Sequence, residues 1–455
     1  MKHYTRTLSL FLFISFAFSQ TQLGSDIDGE AQGDYSGWSV SMNSAGDRVA
    51  IGAANNAGTG SNAGHVRIYE YSNSSWTQLG SDIDGEAQGD YSGTSVSMNS
   101  AGDRVAIGAE NNDGTASNAG HVRVYEYSNS SWTQLGSDID GEAQGDWSGN
   151  SVSMNSAGDR VAIGALFNGG TGTDAGHVRI YEYSNSSWTQ LGSDIDGEAA
   201  NDRSSYSVSM NSAGDRVAIG ARRNDGTASD AGHVRIYEYS NSSWTQLGSD
   251  IDGEAASDFS GTSVSMNSAG DRVAIGATDN DGTASDAGHV RIYEYSNSSW
   301  TQLGSDIDGE AANDWSGTSV SMNSAGDRVA IGALLNDGTA NTAGHVRVYS
   351  LAELFIDSQQ LLPDKFTLDQ NYPNPFNPIT TLRYELPENG LVNITIYDMV
   401  GRQVKTLVNQ RQDAGYRSVV WDATNDNGKP VSAGIYLYQI QAGGNMQTKK
   451  MVLLK

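Results

Sequence analysis

The sequence predicts an all-β protein, a six-bladed β-propeller of 56-residue repeats followed by a C-terminal Ig-like β-sandwich. Three observations predict it. The segment TQLGSDIDGEA begins at Thr21, Thr77, Thr133, Thr189, Thr245 and Thr301, always 56 residues apart. The 455 residues include 54 Gly, 6 Pro and no Cys, and are rich in Ser, Asn, Asp, Thr and Val, a composition of short strands and many turns. From Pro363 the period stops, prolines appear and the charge changes sign.

The elements follow in order. Lys2 and Arg6 precede the apolar run Leu8–Phe18, and Ala17-Phe18-Ser19 fits a small-x-small cleavage site. This predicts a secretory leader over residues 1–19, since the run is too short for the ~20 residues of a spanning helix. Each repeat then offers four strand-like pieces. In the first they are A, SVSM (Ser39–Met42); B, RVAIGA (Arg48–Ala53); C, HVRIYEY (His65–Tyr71); and D, WTQLGSDI (Trp76–Ile83). Four short antiparallel strands per ~50 residues suit a propeller blade, with a solenoid as the competing arrangement. The phasing favours a ring. The array begins with a copy of piece D (Thr21–Ile27) and ends after piece C, so the N-terminal copy is expected to complete the sixth blade.

The pattern SGxSVSMNSAGDRVAIGA…AGHVRxYEY, across residues 21–350, resembles the FG-GAP repeats of integrin-α-type propellers. That resemblance implies blades of this size, usually seven, with calcium in some A–B loops. Here the units number six, and the A–B loop is the short NSAGD (Asn43–Asp47), without that family's alternating aspartates.

Most positions are identical between copies, so the differences stand out. One variable pair precedes piece A: Tyr35/Trp38, Tyr91/Thr94, Trp147/Asn150, Arg203/Tyr206, Phe259/Thr262 and Trp315/Thr318. Another follows piece B: Ala54/Asn55, Glu110/Asn111, Leu166/Phe167, Arg222/Arg223, Thr278/Asp279 and Leu334/Leu335. In an up-down blade the D–A and B–C loops share one face. Variation therefore gathers there, on loops of a rigid scaffold, where binding residues concentrate. Tyr35, Trp38, Tyr91, Trp147, Phe167, Arg203, Tyr206, Arg222, Arg223, Phe259 and Trp315 are the candidate ligand-binding residues. Aromatic plugs between blades and drift at loop tips are the competing readings.

The acidic loop of Asp26, Asp28, Glu30 and Asp34, with its five copies, sets four carboxylates in one turn and is a candidate Ca²⁺ site. The repeat histidines (His65 and its five equivalents) read as structural hydrogen-bonding residues. No G-x-S-x-G elbow, Cys nucleophile or Cys-ligated metal site exists. Six equal copies offer no pair of unlike carboxylates for hydrolysis. No enzyme activity, and no confident cofactor, is expected. Between the leader and residue 361 lie 15 Lys and Arg against 46 Asp and Glu, which argues against nucleic acid and anionic membranes as partners. Beyond the leader, no segment is apolar enough to span a membrane.

After a linker (351–362), the segments FTLDQNYPNPFNPITTLRYELP, VNITIYDMVGRQVKTL and GYRSVVWDATNDNGKPVSAGIYLYQI predict a seven-strand sandwich over residues 363–455. The run Asn371-Tyr372-Pro373-Asn374-Pro375-Phe376-Asn377-Pro378, Ile396-Tyr397-Asp398 with Gly401-Arg402, Gly434-Ile435-Tyr436 and the closing KKMVLLK resemble the Por-type C-terminal sorting domain of the type IX secretion system of Bacteroidetes. The resemblance implies Sec export, passage through the type IX machinery, and release or attachment at the outer-membrane surface. The expected function is binding of an extracellular glycan or protein, as an adhesin or recognition protein. The alternative is a structural surface-coat repeat protein with no specific ligand.

Overall fold

A computed structural model describes residues 22–338, 340–351, 365–412, 414–426 and 428–454. The expected leader, and the expected linker apart from Leu351, lie outside them. The chain divides into two compact units, Met1–Leu351 and Ala352–Lys455.

In the first repeat, pieces A, B and C are the antiparallel strands β1 (Ser39–Met42), β2 (Arg48–Ala53) and β3 (His65–Ser72). Piece D is not one strand but two. β4 (Ser75–Gln78) and β5 (Ile83–Asp84) both pair with β3. Gly80 causes the break: its φ of +79° is a left-handed conformation that no extended strand contains. The site is also crowded. A Cβ on Gly80 would lie 2.8 Å from Cδ1 of Trp132, whose indole N–H donates to the Leu79 carbonyl at 2.7 Å. The outer edge of one sheet is thereby keyed to the Trp of the next.

The core lies between sheets. Ala50, Val66 and Ile68 of the first pack in one cluster with Val96, Met98, Val105 and Ile107 of the second. The inner strands end at Met42, Met98, Met154, Met210, Met266 and Met322, which line one axial cavity of about 180 Å³. Six sheets thus surround a common axis, as in a propeller.

The expected ring closure is corrected. The sixth sheet has three strands, Ser316–Met322, Arg328–Ala333 and His345–Ser350. Its outer strand leaves Val346 and Val348 68% and 66% exposed. The N-terminal copy of piece D lies against the first sheet instead, where Trp76 donates to the Leu23 carbonyl and Arg67 to that of Asp28, both at 2.7 Å. Internal copies make two attachments, pairing with the sheet before them and receiving Trp and Arg from the sheet after. The N-terminal copy keeps only the second, whose partners are near in the chain. A cleft of about 460 Å³ remains between Val40, Met42 and Val49 on one side and Ser319, Val320 and Val346 on the other.

The second unit is a seven-strand sandwich. Thr367–Leu368, Thr380–Leu386 and Gly415–Trp421 form one sheet. Gln403–Gln412, Gly390–Asp398, Gly434–Ala442 and Asn445–Leu453 form the other. Alternate residues of Thr380–Leu386 are buried, as period-2 patterning requires. The core contains Phe376, Tyr384, Trp421 and Tyr438. Within the proline-rich run, Phe376 packs on Trp421 and its N–H donates to the Val452 carbonyl at 3.0 Å. Asn371 is buried and donates to the Pro373 carbonyl and the Thr380 hydroxyl. Asn374 accepts from the Val452 N–H. Three motif residues therefore clip this run in place, while Tyr372 stays exposed.

Candidate functional site

The variable face is built on an invariant aspartate. Asp34, Asp90, Asp146, Asp202, Asp258 and Asp314 are 2–5% exposed. Each accepts a backbone N–H three residues back and the side-chain amide of a buried Asn, as Asp258 does from Ala255 and Asn280. The next residue is the variable one. Tyr35, Tyr91, Trp147, Arg203, Phe259 and Trp315 all adopt φ between 52° and 56°. A non-Gly residue there costs roughly 1–2 kcal/mol, and Gly or Asn would suit it better. No copy uses either. Strain of this kind concentrates at functional sites, and its repetition six times over weighs against drift.

The third to fifth units bring seven of the eleven candidates into one patch. The Trp147 and Phe167 rings meet edge-on with centroids 4.6 Å apart. The Arg203 guanidinium lies 5.0 Å from the Phe167 ring. Arg222 lies 4.0 Å from the Tyr206 ring and 5.6 Å from that of Phe259, and Arg223 5.9 Å from Phe259. Among the described residues, none of these three guanidinium groups forms a hydrogen bond or ion pair. The Nε of each is buried without a partner. Burial, then the like charges of Arg223 and Arg222, lower the pKa of Arg203, with Asp174 and Tyr206 opposing. The remaining candidates stand apart. Tyr35 and Trp38 are exposed and pair with each other at 6.3 Å. The Tyr91 hydroxyl accepts from Asn62, and Trp315 is exposed.

The acidic loop does not gather as expected. Asp26 accepts from Gln22, Asp28 offers its carbonyl to Arg67, and Asp34 holds the turn. Among the described residues these four carboxylates do not gather as one ligand cluster. Glu30 alone joins a cluster, with His65 and Asp82. Four more copies do the same: Glu86–His121–Asp138, Glu142–His177–Asp194, Glu198–His233–Asp250 and Glu254–His289–Asp306. The histidines are buried, but Nδ1 of His121, His233 and His289 has no hydrogen-bond partner, against the structural role expected for it. Burial, then the adjacent Arg123 or Arg235, lowers His121 and His233 to a pKa of about 4. His177 and His289 shift the same way for the same causes. The sequence named Asp26 and its copies, of which Asp82 is one, but grouped them with the carboxylates of their own loop and not with the histidine. Their fixed spacing of 17 residues after the histidine in five of the six copies was the available signal.

The FlgD Ig-like domain family matches residues 379–445. No curated protein matches the chain. Several solved structures resemble it at low identity. A candidate 6-phosphogluconolactonase from Bacteroides uniformis is 10% identical, with 69% of this chain and 80% of that one covered and a TM-score of 0.48. Periplasmic gluconolactonase from Pseudomonas aeruginosa is 11% identical, with coverage of 78% and 94% and a TM-score of 0.41. PorZ, a surface component of the type IX secretion system of Porphyromonas gingivalis, is 12% identical, with coverage of 95% and 61% and a TM-score of 0.39. Among the described residues, no helix is long and apolar enough to cross a membrane.

Proposed function

We propose that this chain is a secreted or cell-surface binding protein whose repeat array, acidic as a whole, holds at one local arginine patch an extracellular ligand bearing a carboxylate or sulfate, foremost an acidic glycan. The observation that carries this reading is the cluster of Arg203, Arg222 and Arg223, three unpaired guanidinium groups among aromatic rings. Guanidinium groups that make no hydrogen bond within the protein keep donors to offer, and carboxylate or sulfate matches their fork. The faces of Trp147, Phe167 and Tyr206 offer stiff surfaces beside it. The activity is recognition, without catalysis.

Export by the type IX route rests on the sorting-domain resemblance of residues 363–455 and on the leader-like residues 1–19. A structural coat would need identical copies for even spacing. Diversification at a strained position is what such a coat has no use for.

A glycan array carrying uronic-acid and sulfated chains beside neutral ones tests the reading. Selective retention on acidic chains is expected, weakened about tenfold or more in Arg222→Gln/Arg223→Gln, since a charged hydrogen bond is worth about 1.5–3 kcal/mol. Equal retention on neutral chains, or no effect of the variant, would overturn it.

A further inference from the structure

The five Glu–His–Asp clusters recur with the same residue types and play no part in the ligand patch. Glu86–His121–Asp138 is one of the three clusters whose histidine Nδ1 has no partner. The His121 side chain is 1% exposed. Its Nδ1 lies 3.9 Å from Glu86 Oε2 and 3.8 Å from Asp138 Oδ2. Both distances are too long for a hydrogen bond, and Nδ1 has no other partner. Each carboxylate is held from behind by its other oxygen. Glu86 Oε1 faces Arg123 Nη1 at 3.5 Å, and Asp138 Oδ1 accepts from the Gln134 amide. One bare nitrogen and two oxygens thus converge, each oriented by an outer partner, as metal ligands usually are.

We propose that each of the five clusters binds one divalent transition-metal ion, zinc foremost. The three ligand atoms lie within 4.8 Å of one another. A point equidistant from atoms so spaced is about 2.2–2.5 Å from each, a few tenths of an ångström beyond zinc–nitrogen and zinc–oxygen distances of about 2.0–2.2 Å. An imidazole with two carboxylates suits zinc, leaving a fourth position for water. Calcium and magnesium prefer oxygen throughout. A bare histidine–carboxylate ion pair accounts less well for the geometry, because it would draw Nδ1 to hydrogen-bonding distance. The two carboxylates come from the loops flanking a blade and the histidine opens its third strand, so a bound ion would tie consecutive sheets together.

The sixth copy is incomplete. Glu310 faces His345 at 3.7 Å, but among the described residues no aspartate joins them. Asp26, which holds the equivalent place in the N-terminal copy of piece D, keeps the same bond to its glutamine, but that copy lies against the first sheet.

The test is equilibrium dialysis of the chelator-stripped full chain against Zn²⁺, with bound zinc counted by mass spectrometry. About five ions per chain are expected. Glu86→Gln and Asp138→Asn alter partly exposed carboxylates and spare the buried histidine, so each should remove one ion while melting of the stripped chain stays unchanged. Co²⁺ in place of zinc should give the visible absorption of a four-coordinate site, reduced by one-fifth in either variant. Fewer than one ion per chain, or variants that keep the full count, would overturn the proposal.

Discussion

Met98 and Met42 hold the same place in the repeat, as do Val96 and Val40, within identical SVSMNSAGDRVAIGA segments. Met98 and Val96 are 7% and 9% exposed, whereas Met42 and Val40 are 54% and 63% exposed. The neighbour makes the difference. Val96 and Met98 pack against Ala50, Val66 and Ile68 of the preceding sheet, while Val40 and Met42 face the open cleft. Burial in this array is therefore a property of the junction more than of the unit, as expected where stability divides between repeats and their interfaces.

The largest effect should come from breaking a closed junction. Met98→Ala should cost about 2–4 kcal/mol and Met42→Ala under about 1 kcal/mol, read from urea denaturation. Equal losses would mean that the ring closes in solution. Next comes the invariant member of the variable turn. Asp258→Ala leaves the Ala255 N–H and the Asn280 amide without their acceptor and should cost about 2–3 kcal/mol. The smallest effect has the opposite sign. Trp315→Gly relieves a left-handed φ of 53° at an exposed side chain and should stabilise the array by about 1 kcal/mol. A loss of stability there would show that this side chain serves packing.

Much of this was legible in the sequence. The exact period marked the sheets, and disagreement between copies marked the face on which Arg203, Arg222 and Phe259 meet. Piece D was misread because Gly80 looks harmless inside a strand-like run, whereas the Trp132 indole fills the space a side chain would need. Ring closure followed from phasing, but phasing does not say which of two attachments the N-terminal copy keeps. The carboxylates were grouped by nearness in sequence. Glu30 meets Asp82 with all of β1 to β4 between them in the chain, a proximity that only the sheet creates. The left-handed backbone beneath the variable residues was hidden too, because aromatic side chains are poor markers of positive φ. In the C-terminal unit the strands were readable, but not the clip that Asn371, Asn374 and Phe376 make with neighbouring strands.

The central claim is that an invariant scaffold holds a variable face that binds. The most direct measurement pairs thermal denaturation with affinity for one acidic glycan, in Asp258→Ala and in Arg222→Gln/Arg223→Gln. The account predicts that the arginine variant loses about tenfold or more in affinity at an unchanged or slightly higher melting temperature, because like charges are removed. It predicts that Asp258→Ala lowers the melting temperature first. An arginine variant that melts early, or one that binds as tightly as the parent chain, would contradict it.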